Sequence, residues 1–446
     1  MDYQYLKCIS PIDGIYKLKT KDLENYFSEL SVNKYRILIE IEYLISLGKL
    51  DIYDDLNPEI IEFLRNIYKN FNLEECIKLK KMEEAMTDIN AIEYYIKGII
   101  VNKDKSLELI NYIHFGLTIQ DINTSANILM IKQSISKVLL PKLNENLGQI
   151  KKKILEWSKT PLLSRSQGQP NCPTFLGKEM LVFYERLVIQ ARKLNGINYT
   201  TKFGGSNGNF NSHHMALPNI DWIEFANKFV QIFGLERNQY TTQIDHYDNY
   251  AEVFDCLKRI NVILIDFCQD MWLYISRNIL VKKDTDGYSS VPDRINPINF
   301  ENAEGNLLMA NSMLEFFSRK LPVSRLQRDL TDSTILRNVG SSFSYTLIAY
   351  KYILEGLLEI KINEQELNYE LNTNYMVIAE GIQTRMKVLG MKDSIEKMKE
   401  ITRNTNDTTL IKKNLIKFID EGNFGQEEKK YLKTITPFNY TGIYKL

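Results

Sequence analysis

Neither sign of charge prevails in this chain: Lys plus Arg and Asp plus Glu both total 56, and the formal net charge is zero. Without an overall field there is no pull toward nucleic acid or an anionic membrane, so any bound anion must be held locally. Cysteine is scarce. The five present, Cys8, Cys76, Cys172, Cys256 and Cys268, are odd in number, scattered and free of CxxC or Cys/His spacing, which fits a reducing, cytoplasmic setting. The four histidines, His114, His213, His214 and His246, form no metal-binding pattern, and the adjacent pair reads as structural. The opening MDYQYLKCIS lacks the basic start and apolar core of a signal peptide, and no run approaches about eighteen uninterrupted apolar residues. A soluble chain without membrane attachment is expected. Absent too are a Walker loop, a GxGxxG after a strand, HExxH and GxSxG. Nucleotide hydrolysis, dinucleotide redox chemistry and metalloprotease action therefore lack support.

What is present is helical periodicity. Over residues 253–274, apolar side chains fall at Val253, Leu257, Ile260, Leu264, Phe267, Met271 and Tyr274, in alternating steps of four and three. The same alternation runs through Leu143, Leu147, Ile150, Ile154 and Trp157, and through Phe343, Leu347, Tyr350, Leu354 and Leu357. These patterns predict an all-α protein built on a long central bundle. With 446 residues, 44% of them hydrophobic, there is enough chain for three parts: an N-terminal helical part over 1–105, the central bundle over 106–360, and a C-terminal helical part over 361–446. Ile263, Ile265, Trp272 and Ile275 widen the first stripe beyond what one neighbour covers, which points to oligomerisation and leaves a large monomeric bundle as the alternative.

Between the helices lie stretches with turn chemistry and polar groups. SPIDGIY, residues 10–16, is a turn by composition. In HFGLTIQDINTSAN, residues 114–127, Asp121, Thr124 or Ser125 suits the cap of the helix that follows. In SRSQGQPNCPT, residues 164–174, Pro170 and Pro173 exclude helix and Gly168 permits an unusual backbone angle. Its Ser166, Gln167, Gln169 and Asn171 can orient a polar ligand, but composition alone favours a plain polar connector. The long stretch DTDGYSSVPDRINPINFENAEGN, residues 284–306, reads as a lid. In SRLQRDLTDSTILRN, residues 324–338, Thr331 or Asp332 can begin a helix, with Ser333 among its open amides and Arg328 and Arg337 on either side. Such an arrangement suits a phosphate, and the same spacing suits pairing of both arginines with Asp329 and Asp332.

These stretches together resemble the adenylosuccinate lyase family of the fumarase/aspartase superfamily. SPIDGIY is similar to that family's opening SPxDGRY, FGGSNGNFNSH and YTTQIDHYD to its middle segment, and NFENAEGN with LPVSRLQRDLTDSTILRN to its nucleotide-binding stretch. The resemblance covers nearly the whole chain. It implies an all-helical homotetramer with active sites shared between subunits, a purine nucleotide substrate, and no cofactor or metal. The implied reaction is non-hydrolytic cleavage of adenylosuccinate or its imidazole-carboxamide precursor: a base takes a proton from the succinyl group, the carbanion is stabilised, and the amine departs, leaving fumarate.

By the same resemblance, Gln243, Asn296, Asn302, Arg328, Ser333 and Arg337 match nucleotide or substrate contacts, Tyr16 is retained, and Arg294 keeps the charge of a family lysine. Thr118 and Asp121 remain of a Thr-Ser-Glu-Asp segment whose serine is Ile119, and Thr87, before Asp88, stands where the family has a substrate-contacting histidine. The arginine of SPxDGRY is Ile15. The proton-transferring histidine of Ser/Thr-His-Gly-Gln-Pro is Gln167, which cannot titrate, and the catalytic serine of the mobile loop is Tyr288, with Ser289 next to it. Three functions fit: a C–N lyase that uses Tyr288 or Ser289 as base, a lyase turned to another nucleotide-linked substrate, and a nucleotide-binding homologue without lyase activity that works beside an active paralogue.

Overall fold

The computed structural model describes residues 4–283, 296–392, 394–402 and 408–446. Helices account for most of them, as the periodicity predicts. Among the described residues, strands are limited to the hairpin Pro161–Ser166 with Gln169–Phe175, the two-residue parallel pair Thr200–Thr201 with Glu236–Arg237, and the antiparallel pair Leu280–Lys282 with Ile360–Ile362. No helix among the described residues is long and apolar enough to cross a membrane.

Short polar residues start the helices, because a helix N-terminus leaves four amide groups open. Asn57 accepts from the Ile60 N–H at 3.0 Å just ahead of Pro58, which opens the helix Pro58–Lys69 as expected. Asn72 and Asp221 do the same for Leu73–Glu83 and Trp222–Gln231. The helix Ile119–Ser134 begins earlier than a cap at Asp121, Thr124 or Ser125 would place it. Thr118 is its N-cap residue, and Asp121, one turn in, accepts from the Thr118 N–H at 2.8 Å. Thr124 and Ser125 are buried inside the helix.

The apolar stripes face inward. In the helix Asp248–Ser276, Val253, Leu257, Ile260, Leu264, Phe267 and Met271 are buried and Tyr274 is half-buried. Leu143, Leu147, Ile150 and Ile154 are buried along Leu140–Glu156, as is Trp157 just after it. Along Val339–Glu359, Phe343, Leu347, Tyr350 and Leu357 are buried and Leu354 is half-buried. Each such side chain contributes about 1.5–3 kcal/mol on burial, which makes the stripe the main stabilising feature of each helix.

The chain divides into two compact units. The first comprises residues 1–144, 189–265 and 303–351. Its core includes an aromatic cluster in which Tyr43 meets Phe203, Phe225 and Phe229 edge-on or tilted at centroid distances of 5.6–6.0 Å. The second comprises residues 145–188, 266–302 and 352–446, and contains the hairpin and a C-terminal apolar cluster of Ile378, Ile382, Met386, Leu415, Ile419 and Leu432.

Candidate functional site

In the first unit, segments 242–247 and 327–333 meet through three side-chain hydrogen bonds. Thr242 Oγ1 donates to the Gln327 carbonyl at 2.9 Å, Arg328 Nη1 to Gln243 Oε1 at 3.3 Å, and the Tyr247 hydroxyl to Asp332 Oδ2 at 2.7 Å. Two residues expected to contact nucleotide, Gln243 and Arg328, are thereby drawn together across the sequence. Arg328 Nε is buried without a hydrogen-bond partner among the described residues. An open cavity of about 430 Å³ lies alongside, lined by Tyr240, Thr241, Thr242, Asp245, Ser324 and Leu326 among others.

The helix Thr331–Leu336 begins at one of the two expected positions, but Ser333 does not offer an open amide. Its N–H is bound by its neighbour's Asp332 Oδ1 at 2.7 Å, and its hydroxyl reaches the same oxygen at 3.3 Å. Of the groups expected to hold a phosphate, this leaves the Ser333 hydroxyl and the two guanidinium groups. The alternative pairing of the arginines is not adopted either. Asp329 takes bonds from Thr331, side chain first and then backbone, and from the Arg325 N–H, which hold its carboxyl at about 2. Asp332 is taken by Tyr247. Arg337 is exposed immediately after the helix and Ser333 is half-buried.

Beneath Thr118 lies an ion pair that sequence reasoning missed. Asp121 and Lys202 are both fully buried, with Lys202 Nζ 2.5 Å from Asp121 Oδ1. Asp121 also accepts from the N–H groups of Gly204 at 2.8 Å, Gly205 at 3.1 Å and Thr118 at 2.8 Å, and Lys202 Nζ donates to the Gly205 carbonyl at 2.6 Å. Burial lowers the Lys202 pKa, opposed by the Asp121 carboxylate. One carboxylate thus ties the Thr118 turn to the 202–205 loop.

Two histidines flank this pair in opposite states. His213 is buried against Gly116, which at φ +69 carries no Cβ to strike the ring. The Tyr43 hydroxyl donates to the Phe115 carbonyl at 2.7 Å, so it accepts from His213 Nε2 at 3.0 Å. Burial pushes His213 down to about 4 despite Asp121, leaving it a neutral, structural ring as expected. His114 stands 2.5 Å from Glu40 Oε1 and 3.8 Å from Glu93 Oε1. Burial alone would lower it, but Glu40, then Glu93 and Asp121, raise it to about 9, so it is a cation at neutral pH.

Thr87 caps the helix Asp88–Lys103, its Oγ1 accepting from the Asn90 N–H at 3.4 Å, and Asp88 pairs with Arg36 at 3.0 Å. Tyr16 is half-buried, its N–H bound to the Pro11 carbonyl at 2.9 Å. In the second unit, residues 164–174 form most of a β-hairpin, not a plain connector. Gln167 (φ +54) and Gly168 (φ +76) make its two-residue turn, the backbone signs of a type I′ turn. Pro170 and Pro173 lie within its second strand, opposite Arg165 and Leu163, so the residues that forbid helix are accommodated in a short ladder. Gln167 is exposed at the tip. Arg165 Nη1 holds the Gly168 carbonyl at 3.2 Å, and its Nη2 pairs with Glu370 at 3.2 Å. Asn296 is exposed ahead of the helix Ile298–Lys320, and Asn302 is half-buried on it. Tyr288, Ser289 and Arg294 lie outside the described residues. Among those described, no group of three or more His, Cys, Asp or Glu is arranged to hold a metal ion.

Comparison with known proteins agrees with these motifs. A family model described as lyase matches residues 43–310, and one described as adenylosuccinate lyase C-terminal matches residues 324–441. Among curated relatives, the adenylosuccinate lyase of Dictyostelium discoideum is 44% identical over 98% of this chain and 97% of its own length. That of Escherichia coli is 38% identical over 99% and 98%. Of solved structures, fumarate lyase from Mesorhizobium superposes with a TM-score of 0.77 at 15% identity, covering 95% of each chain. The 3-carboxy-cis,cis-muconate lactonizing enzyme of Pseudomonas putida gives 0.75 at 15%, covering 95% and 94%. At such low identity these likenesses concern the fold, which is the all-helical lyase fold.

Proposed function

Because the chain belongs to the adenylosuccinate lyase family, we propose that it is a carbon–nitrogen lyase that eliminates fumarate from a succinylated purine nucleotide, adenylosuccinate or its imidazole-carboxamide precursor. The observation that carries the nucleotide end is the Arg328–Gln243 hydrogen bond, which gathers residues 85 positions apart in the sequence. Arg328, Ser333 and Arg337 hold the phosphate, with Gln243, Asn296 and Asn302 on the remainder of the substrate. Tyr16, Thr87, Asp88, Thr118 and Arg294 serve the succinyl end. Ser289, or Tyr288 beside it, takes the proton from the succinyl carbon. Gln167 offers its amide to the leaving side of the substrate, and because an amide cannot supply a proton, water delivers the one the departing nitrogen needs. Of the residues that widen the stripe of the helix Asp248–Ser276, Ile263 and Ile275 are buried within the single chain, Ile265 is half-buried and Trp272 is exposed, so a homotetramer with shared sites is supported by family membership more than by this face. The division into 1–105, 106–360 and 361–446 is part of the same reading.

Purified protein is to be incubated with adenylosuccinate and, separately, with the succinylated imidazole-carboxamide ribotide, and fumarate followed. Wild type is expected to turn over slowly. Gln167→His should speed it by about 10²–10⁴-fold, the usual contribution of a positioned acid or base. No fumarate from either substrate, despite nucleotide binding, would refute the lyase reading and leave a different substrate or a binding role.

A further inference from the structure

Tyr247 is not among the residues that the family resemblance brings to the site, yet it is built in at some cost. It is fully buried and adopts a left-handed backbone, φ +59, which for a residue with a Cβ costs about 1–2 kcal/mol. Something must hold it there. The Tyr247 N–H donates to Asp245 Oδ1 at 2.8 Å, and Asn238 Nδ2 fixes the other oxygen of Asp245 at 3.0 Å. The ring stands edge-on to Tyr250 at 5.2 Å. The consequence of this anchoring is the position of one atom: the phenolic O–H ends 2.7 Å from Asp332 Oδ2, inside the protein. Burial, then the negative Asp332, keep that phenol protonated and therefore a donor.

Asp332 in turn holds Ser333 by its N–H at 2.7 Å and by its hydroxyl at 3.3 Å. The first contact is short and stays. The second is long and weak, so the hydroxyl can leave it for a phosphate oxygen at little loss. We propose that Tyr247 is a positioning residue for the nucleotide phosphate, acting through Asp332 to set the Ser333 backbone and hydroxyl; this rests on the phosphate reading of Arg328, Ser333 and Arg337. The phenol has a second effect. Asp332 is a buried carboxylate beside the place assigned to an anion, and the Tyr247 O–H occupies its Oδ2 with a neutral donor. Once that donor is removed, the carboxylate can turn, and the hydroxyl it holds and the charge it carries both move relative to the phosphate. The other two bonds between these segments, Thr242 to Gln327 and Arg328 to Gln243, do not touch Ser333.

The test is calorimetric titration of the full chain with AMP and with adenosine, comparing wild type and Tyr247→Phe, which keeps the ring and removes only the hydroxyl. AMP affinity should fall about tenfold, the equivalent of one charge-assisted hydrogen bond, while adenosine affinity stays within about twofold. A merely structural role would weaken both ligands alike or neither, and either result overturns the proposal. Asp245→Asn, which loosens the grip on the Tyr247 backbone, should show the same phosphate-selective loss; selective loss in neither variant also overturns it. If wild type binds AMP no more tightly than adenosine, the phosphate assignment itself fails, irrespective of Tyr247.

Discussion

Replacing either member of the Asp121–Lys202 pair should destabilise the protein, but by unequal amounts, and the inequality follows from what each partner retains. Lys202→Met leaves the Asp121 carboxylate with peptide donors from Gly204, Gly205 and Thr118, at 2.8–3.1 Å, enough to keep a buried anion satisfied. Its cost should be about 1–3 kcal/mol, that of one lost buried partner. Asp121→Asn leaves the Lys202 ammonium fully buried with only the Gly205 carbonyl among these partners, and turns an NH₂ group toward donors that a carboxylate oxygen had accepted. That loss should reach about 3–5 kcal/mol, the range for breaking a buried ion pair from one side.

The unequal losses carry a pH signature. Burial already lowers the Lys202 pKa in the folded protein, and without Asp121 it falls further below the unfolded value. The unfolded chain then binds the extra proton, so the deficit of Asp121→Asn should shrink as pH rises from neutrality toward about 10. Chemical unfolding midpoints of the three proteins, converted with a common denaturant slope, measure all of this. Lys202→Met proving as costly as Asp121→Asn would refute the reasoning, because the peptide N–H groups would then not be sustaining the carboxylate.

Two further outcomes are expected. His114 has a folded pKa of about 9 against an unfolded value of about 6.5, so its contribution is complete below about 6.5 and is lost as pH climbs through 9. The loss amounts to about 3 kcal/mol at most, and the stability difference between wild type and His114→Gln, taken at pH 6.5 and above 9, should narrow accordingly; a constant difference would mean that His114 is not a cation in the fold. Arg328→Ala or Arg337→Ala should each weaken nucleotide monophosphate binding at least several-fold by calorimetry, and unchanged affinity would remove that residue from the phosphate site.

The helical architecture was legible because a buried stripe writes its period directly into the sequence: Val253 through Met271 alternate by four and three, and all of the predicted positions between them are buried. The hairpin at 161–175 was not legible for a physical reason. Two prolines remove donors from its second strand, and its turn carries Gln167 where hairpin signals favour Asn or Asp before Gly. Proline there correctly excluded helix without revealing strand.

The same limit separates the parts of the site. Arg328, Ser333 and Arg337 lie within ten positions, so their charge and turn chemistry could be read together. The pairings that sequence reasoning missed join residues distant in sequence: Lys202 is 81 positions from Asp121, His114 is 74 from Glu40, and Tyr247 is 85 from Asp332. Spacing alone therefore offered Asp332 to a nearby arginine, when the fold gives it to a buried tyrosine. A neutral phenol satisfies that carboxylate without neutralising either guanidinium, and this leaves both positive charges available to an anion from solution. Pairing both arginines with Asp329 and Asp332, which local sequence permitted equally, would have left neither guanidinium for an anion.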